Sequence, residues 1–507
     1  MTARVYTAAL NGIEATPVVV EVDVAPGLRA FSIVGLPDNA VKESKERLVA
    51  AMAHEGFKPP HLIPKRVTVN LAPAATKKHG PSYDVPIAVA FLMASEQTQA
   101  KLNKTMILGE LALDGRVRPV RGVLSAAQMA KKLGLKTIMV PQRNAAEAAL
   151  IEGLEVLGIK RLGEVIAYAE GRSSLKPQTG AVDGGLIESA PEIDLNDITG
   201  QTYAKRALEI AAAGHHNILF HGPPGAGKTL LAKALAGILP PLSKSEALEV
   251  TQIYSAMGSA PDGLLSARPF RSPHHQTSPA AILGGGSNPL PGEMTLAHHG
   301  VLFLDELPEF RRDVIEGLRQ PLEAGVVHVT RAAGRATFPA RFLLVSAMNP
   351  CPCGYAGDTL KQCRCSMREV QLYQRKISGP ILDRFDLHVA VPRLKPEELL
   401  KGGAGGETSA EVRGRVIAAR AKQHRRYQDD RRANAHIPSR DITKICETTE
   451  AAKALLERAV HTFALSARGY HKVLKVSRTI ADLADATIID APHVQEALQF
   501  RTPLGEK

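Results

Sequence analysis

The sequence predicts an α/β chain: a central parallel sheet flanked by helices, preceded by a smaller α+β domain and followed by a helical one. Three observations lead there. The apolar run 217–220 feeds the turn His221-Gly222-Pro223-Pro224-Gly225-Ala226-Gly227-Lys228-Thr229, which opens directly into the helix-favouring 230–236. The apolar run 301–304 ends in Asp305 and Glu306, the pattern of a strand buried on both faces that delivers acids to its C-terminal end. A third apolar run, 342–348, ends in Asn349.

The first of these carries the chemistry. Glycines 222, 225 and 227 let the backbone curl until several N–H groups point at one spot, and the helix that begins there adds its positive dipole end. In a G-x-x-x-x-G-K-T turn between strand and helix, the lysine, here Lys228, reaches the β- and γ-phosphates. The Thr229 hydroxyl ligates Mg²⁺. Asp305 is expected to hold that Mg²⁺ through water and Glu306 to polarise the attacking water. Asn349, at the tip of a neighbouring strand, is placed to position the same water. Loop 222–229 and the acid pair together predict ATP hydrolysis.

The whole chain limits the alternatives. Its 507 residues suggest two to four domains, and 44% hydrophobic with 22% charged residues is ordinary globular composition. The net charge of +12 points to a polyanionic partner. The first residues lack the apolar core of a signal peptide, and no apolar run approaches a membrane span. Five cysteines, four of them between 351 and 365, do not form a secreted disulfide framework. The expectation is a cytoplasmic protein.

In order, residues 1–172 read as the α+β domain. Val18 to Val24 is strand-like, Asp38 caps a helix start, and 66–71 alternates as a strand. Gly80-Pro81-Ser82, then Gly109-Glu110 with Gly115-Arg116-Val117-Arg118-Pro119, resemble the Lon-protease-like domain, related to the ribosomal S5-like fold. That family carries its nucleophile at the position of Ser82. A serine nucleophile needs a base, and in Lon it is a lysine shortly after the proline of this hairpin. The matching position here is Leu124, with Lys131 and Lys132 two helical turns further on. The resemblance therefore implies the fold without the protease, as a structural or docking module.

Residues 173–192 have linker composition. The α/β core spans 193–395 and opens with a helix ending near Gly214. Its irregular stretch 258–292 is long enough to be functional. His274-His275 and His298-His299 invite a metal reading, weakened because adjacent side chains diverge on a strand or helix. Residues 326–338 read as a hairpin with Ala333-Gly334 at its tip, from which Arg331 and Arg335 project; they either grip nucleic-acid phosphates or lie on a solvated surface. Cys351, Cys353, Cys363 and Cys365 suit a tetrahedral Zn²⁺ knot, with iron–sulfur ligation and free thiols as the other readings. Arg384 lies past the catalytic strands, where it is suited to completing a neighbour's site. Residues 396–507 are helical, with a flexible break at 402–406, a basic helix over 412–427, and Arg468 at the start of the last helical pair.

In their order, loop 222–229, Phe270-Arg271-Ser272-Pro273-His274-His275, 301–306, Asn349-Pro350-Cys351-Pro352-Cys353-Gly354, Asp383-Arg384-Phe385-Asp386 and Ser466-Ala467-Arg468-Gly469 resemble a magnesium-chelatase-like AAA+ ATPase, and within that group the ComM/YifB family. The resemblance implies that Asn349 is sensor 1, Arg384 the arginine finger and Arg468 sensor 2. It likewise implies that 258–292 is a helix-2 insert, 326–338 a pre-sensor-1 hairpin and 396–507 a helical lid. It further implies ATP with Mg²⁺, a ring that is usually a hexamer, and an ATP-driven motor that binds single- and double-stranded DNA and moves branched junctions during natural transformation. A related ATPase acting on a protein or tetrapyrrole partner is the alternative.

Overall fold

The computed structural model describes residues 2–179, 192–261, 263–286, 289–331, 334–358, 360–394, 406–429 and 431–501. Most of the predicted linker, the glycines at 402–405 and Ala333 of the hairpin tip lie outside these residues, and of Arg331 only the backbone is described.

The N-terminal part is built on a sheet of seven strands. They are β1 (Thr2–Asn11), β2 (Glu14–Ala25), β3 (Ala30–Val34), β4 (Arg66–Ala72), β5 (Thr105–Ile107), β8 (Thr137–Pro141) and β9 (Glu155–Ile159), in the order β3-β4-β2-β1-β5-β8-β9. The predicted hairpin forms from β6 (Glu110–Leu111) and β7 (Val117–Arg118). Alternation dictates the buried face: Val18, Val20, Val22 and Val24 point inward from β2. Against them lies helix Asp84–Ala94, apolar on nearly every face and accordingly buried almost throughout. Its first residue, Asp84, is buried but satisfied by Arg47 Nε (2.6 Å) and the Leu111 N–H (3.1 Å). Asp38 caps its short helix as predicted, accepting from the Val41 N–H, and the chain restarts as helix Ser44–His54.

The second sheet is parallel. It comprises β10 (Ile218–His221), β11 (Phe270–Arg271), β12 (Val301–Leu304), β15 (Leu343–Met348) and β16 (Leu387–Ala390), in the order β11-β12-β15-β10-β16. The predicted hairpin forms separately from β13 (Val326–Arg331) and β14 (Gly334–Pro339). Helices Thr202–Gly214 and Lys228–Ile238 and the C-terminal helices Ser409–Tyr427 and Ala467–Leu483 share one core with the sheet, in which Phe220 and Val345 pack with Val416, Val473 and Ile480. The molecule is thus α/β with a parallel nucleotide-type core, a helical C-terminal part and an α+β N-terminal part.

The two sheets are joined by a polar seam. Helix Val123–Lys132 runs beside helix Lys244–Met257. Glu147, almost wholly buried, accepts from the Leu124 N–H (3.0 Å) and from the Ser255 hydroxyl, while the Gly122 N–H donates to Ser255 O (3.0 Å). Gln252 Nε2 reaches both Ile13 O (3.0 Å) and Ser125 Oγ (3.1 Å). The seam ends at Gly258, against which Arg121 packs, where the irregular stretch 258–292 begins.

Candidate nucleotide site

The order of the parallel sheet places three strand tips side by side: β12 delivers Asp305 and Glu306, β15 delivers Asn349, and β10 delivers the glycine-rich turn. Gly222 is forced by packing, since a Cβ there would lie 2.1 Å from Val391 O; Gly225 and Gly227 are in the left-handed region (φ 77° and 90°) that lets the turn curl before helix Lys228–Ile238.

The side chains converge. Lys228 Nζ donates to Gly222 O (2.6 Å), Pro223 O (3.0 Å) and Asn349 Oδ1 (3.1 Å). Burial pushes its pKa down to about 8 against the opposing pull of Asp305 and Glu306. The Thr229 hydroxyl donates to Asp305 Oδ2 (2.8 Å), and Asp305 Oδ1 accepts the Glu306 N–H (3.0 Å). Glu306 itself sits at φ 52°, a left-handed conformation that costs a non-glycine residue about 1–2 kcal/mol, and its charge acts on Lys228 together with that of Asp305. A cation, a hydroxyl, two carboxylates and an amide oxygen thus face one point, beside a loop that presents backbone N–H groups. That is the donor set for a triphosphate with a divalent cation.

His275, weighed in the sequence as a metal ligand and as part of a family motif, brings Nδ1 to 3.6 Å from Glu306 Oε2, its ring tilted 33° to that of His274 at 4.1 Å between centroids. It ties the irregular stretch to the acid pair, a contact for which sequence carries no signal beyond two adjacent histidines. The second pair behaves unlike the expectation for adjacent side chains. His299 takes φ 57°, and the turn brings His298 Nε2 (3.2 Å) and His299 Nε2 (2.8 Å) onto one oxygen of Glu249. Those hydrogen bonds hold Glu249 well below the usual carboxylate range, and Arg431 reaches its other oxygen at 3.1 Å. The His298 Nδ1 accepts the Arg341 N–H (3.0 Å), so the neutral ring carries its proton on Nε2 and donates to Glu249 rather than offering a lone pair there.

Arg384 and Arg468 are elsewhere. Both line a cleft of ≈ 690 Å³ together with Arg431, Lys472, Lys475 and Glu323. Arg384 pairs with Glu323, and its backbone O accepts from Asn217 Nδ2 (3.0 Å). Asn217 stands at the start of β10 and the phosphate-type loop at its end, so about 16 Å of strand separates the two places. The four cysteine sulfurs lie within 4.8 Å of one another just past Asn349. Arg335 is exposed on β14.

Ser82 lines a different cavity, of ≈ 380 Å³, with His79, Glu110 and Arg121; among the described residues no lysine lines it. His79 in turn brings Nδ1 to 3.3 Å from Asp38 Oδ2. Leu124 is not among its lining residues and packs fully buried with Val123, Met106 and Val140.

Comparison with known proteins decides the family. The profile of magnesium chelatase, subunit ChlI, matches residues 194–399, that of subunit ChlI of Mg-chelatase matches 20–144, and that of the ChlI C-terminal part matches 406–501. The YifB protein of Salmonella typhimurium is 44% identical over 98% of this chain and 97% of its own length, and the competence protein ComM of Haemophilus influenzae 43% identical over 98% and 97%. The chain belongs to the ComM/YifB family of magnesium-chelatase-like AAA+ ATPases. In this family member the N-terminal part is also similar to the Lon protease of Rhizobium meliloti, 30% identical over 154 residues, 28% of this chain and 19% of that one. The family implies ATP and Mg²⁺ as its cofactors. Among the described residues no helix is long and apolar enough to cross a membrane.

Proposed function

We propose that this protein is an ATP-driven DNA motor that works as a ring, a hexamer, and moves branched DNA during homologous recombination of incoming strands. One observation carries the reading: Lys228, Thr229, Asp305, Glu306 and Asn349 face one point, while Arg384 and Arg468 share a basic cleft at the opposite end of β10. Arginines so placed serve a neighbour's nucleotide, and only a closed ring gives every site such a neighbour. The residues suit MgATP: Lys228 is a buried cation now satisfied by loop carbonyls, and Thr229 and Asp305 form a hydroxyl–carboxylate pair of the kind that holds Mg²⁺ directly and through water. Glu306 then takes the proton of the attacking water and Asn349 orients it. Arg384 and Arg468 of the adjacent subunit stabilise charge on the γ-phosphate.

DNA as cargo is supported by the net charge of +12, by Arg335 exposed on the β13–β14 hairpin, opposite Thr330, and by the similarity to a competence protein. The chelatase profiles favour a second reading, an ATPase that remodels a protein partner. The N-terminal domain, with no described lysine lining the Ser82 cavity, is a structural or docking module rather than a peptidase, and peptidase assays of the parent and of Ser82→Ala should be equally blank. The deciding experiment is ATP hydrolysis with no DNA, single-stranded DNA, duplex and a four-way junction. Junction-stimulated hydrolysis, lost in Glu306→Gln and no longer stimulated in Arg331→Ala/Arg335→Ala, supports the motor. Hydrolysis indifferent to every DNA, with no DNA binding even at low salt, rejects it in favour of a protein partner.

A further inference from the structure

Between β15 and helix Met367–Gln374 the described chain forms neither helix nor strand, yet it lies against the candidate nucleotide site. The cysteines here are unpaired thiols. Their sulfurs are 3.4 Å (Cys351–Cys353), 3.7 Å (Cys351–Cys363) and 3.6 Å (Cys353–Cys363) apart, with Cys365 inside the same 4.8 Å group. One tetrahedral cation with metal–sulfur bonds of about 2.3 Å holds its sulfurs about 3.8 Å apart. A disulfide requires about 2.05 Å, and a polynuclear iron–sulfur core, with sulfide between its irons, spreads its cysteines wider. Backbone N–H groups of Ala356 (3.3 Å) and Cys365 (3.4 Å) point at Cys351 Sγ and Cys363 Sγ, the donors that settle ligating thiolates.

Three contacts run from this turn to the phosphate loop. Gly354, at φ 84°, lies so close that a Cβ would stand 2.7 Å from Pro224 Cδ. Arg393 ties the two together: it lies over the Tyr355 ring (5.8 Å to the centroid), pairs with Asp358 (3.5 Å) and donates to Pro224 O (3.4 Å). Asn349, two residues before Cys351, binds Lys228 Nζ. The segment has little apolar packing of its own beyond Cys351, so an ion is what can give it a fixed shape.

We propose that the four cysteines hold one Zn²⁺ and that the resulting knot braces the phosphate loop, so that nucleotide affinity depends on a metal that never touches nucleotide. The inference rests on loop 222–229 being the nucleotide site. The brace acts through Gly354 on Pro224, through Arg393 on the Pro224 carbonyl, and through Asn349 on Lys228.

The test uses the full chain, purified under reducing conditions without chelator. Bound metal is measured by elemental analysis, and affinity with a fluorescent ATP analogue, for the parent, Cys363→Ser/Cys365→Ser and Arg393→Ala. Expected are one zinc per chain in the parent, exchangeable for Co²⁺ with the visible spectrum of a tetrahedral thiolate site, and none in the serine pair, whose nucleotide affinity falls about tenfold, as for lost metal support. Arg393→Ala should keep its zinc and still lose affinity severalfold. If the serine pair does not fold, Arg393→Ala decides. Absence of zinc after growth in zinc-supplemented medium, iron in its place, or zinc present with unchanged affinity in Arg393→Ala overturns the proposal. A parent that binds zinc but no nucleotide sinks the nucleotide reading itself, and the brace with it.

Discussion

Lys228 is the residue on which pH acts most directly. Its pKa of about 8 comes from burial, and triphosphate next to it raises that value, so binding takes up a proton when the free lysine is neutral. The sign follows: affinity for ATP is flat below pH 8 and declines above it, by at most about tenfold per pH unit. Nucleotide titrations at pH 7, 8 and 9 check this, and a flat profile contradicts it. In the proposed motor Glu306 acts at a later step. Glu306→Gln should retain ATP and lose hydrolysis by about 10²-fold or more, read by single-turnover assay. Both residues were legible in the sequence, because a glycine-rich turn and an apolar strand ending in acids are local patterns. His275 was not: its approach to Glu306 depends on how a long irregular stretch folds back, and two adjacent histidines offer no such direction.

At the scale of elements, the order β11-β12-β15-β10-β16 creates the site, and no sequence pattern specifies which parallel strand lies beside which. Runs 301–304 and 342–348 are legible as strands, and Asn349 is expected beside the acid pair; that β15 also lies beside β10, bringing Asn349 to Lys228, is a tertiary result. The seam between helices Val123–Lys132 and Lys244–Met257 was equally silent, since Glu147 and Ser255 are unremarkable residues far apart in the chain. Their pairing has a measurable size. Glu147→Ala removes the acceptor of the buried Ser255 hydroxyl and of Asn144 Nδ2 (3.2 Å), leaves the Leu124 N–H only its longer contact to Ser255 Oγ (3.4 Å), and should cost about 1–3 kcal/mol in chemical denaturation. A variant as stable as the parent would mean that the Glu147 carboxylate adds nothing to the seam beyond the Gly122 and Gln252 hydrogen bonds and the apolar packing.

At the scale of the whole molecule, the distance between the two ends of β10 makes a prediction about assembly. Lys228→Ala and Arg384→Ala should each abolish hydrolysis, the first by loss of nucleotide binding and the second with binding intact. Mixed together they should recover part of the activity, because a mixed ring contains some interfaces with both residues present. No recovery on mixing, in samples shown to exchange subunits, argues for a site completed within one chain.

The burial of Leu124 has a longer consequence. This position packs into the apolar core and its backbone is committed to the seam, so one substitution does not turn it into a catalytic position. Leu124→Lys restores the lysine found in Lon-type sequences but places an ammonium among apolar side chains, away from the cavity that Ser82 lines, at a cost of several kcal/mol. The position that the resemblance matches to the Lon lysine serves here as a foundation of the fold, so a lysine placed there would have to displace the packing that holds the seam before it could reach Ser82.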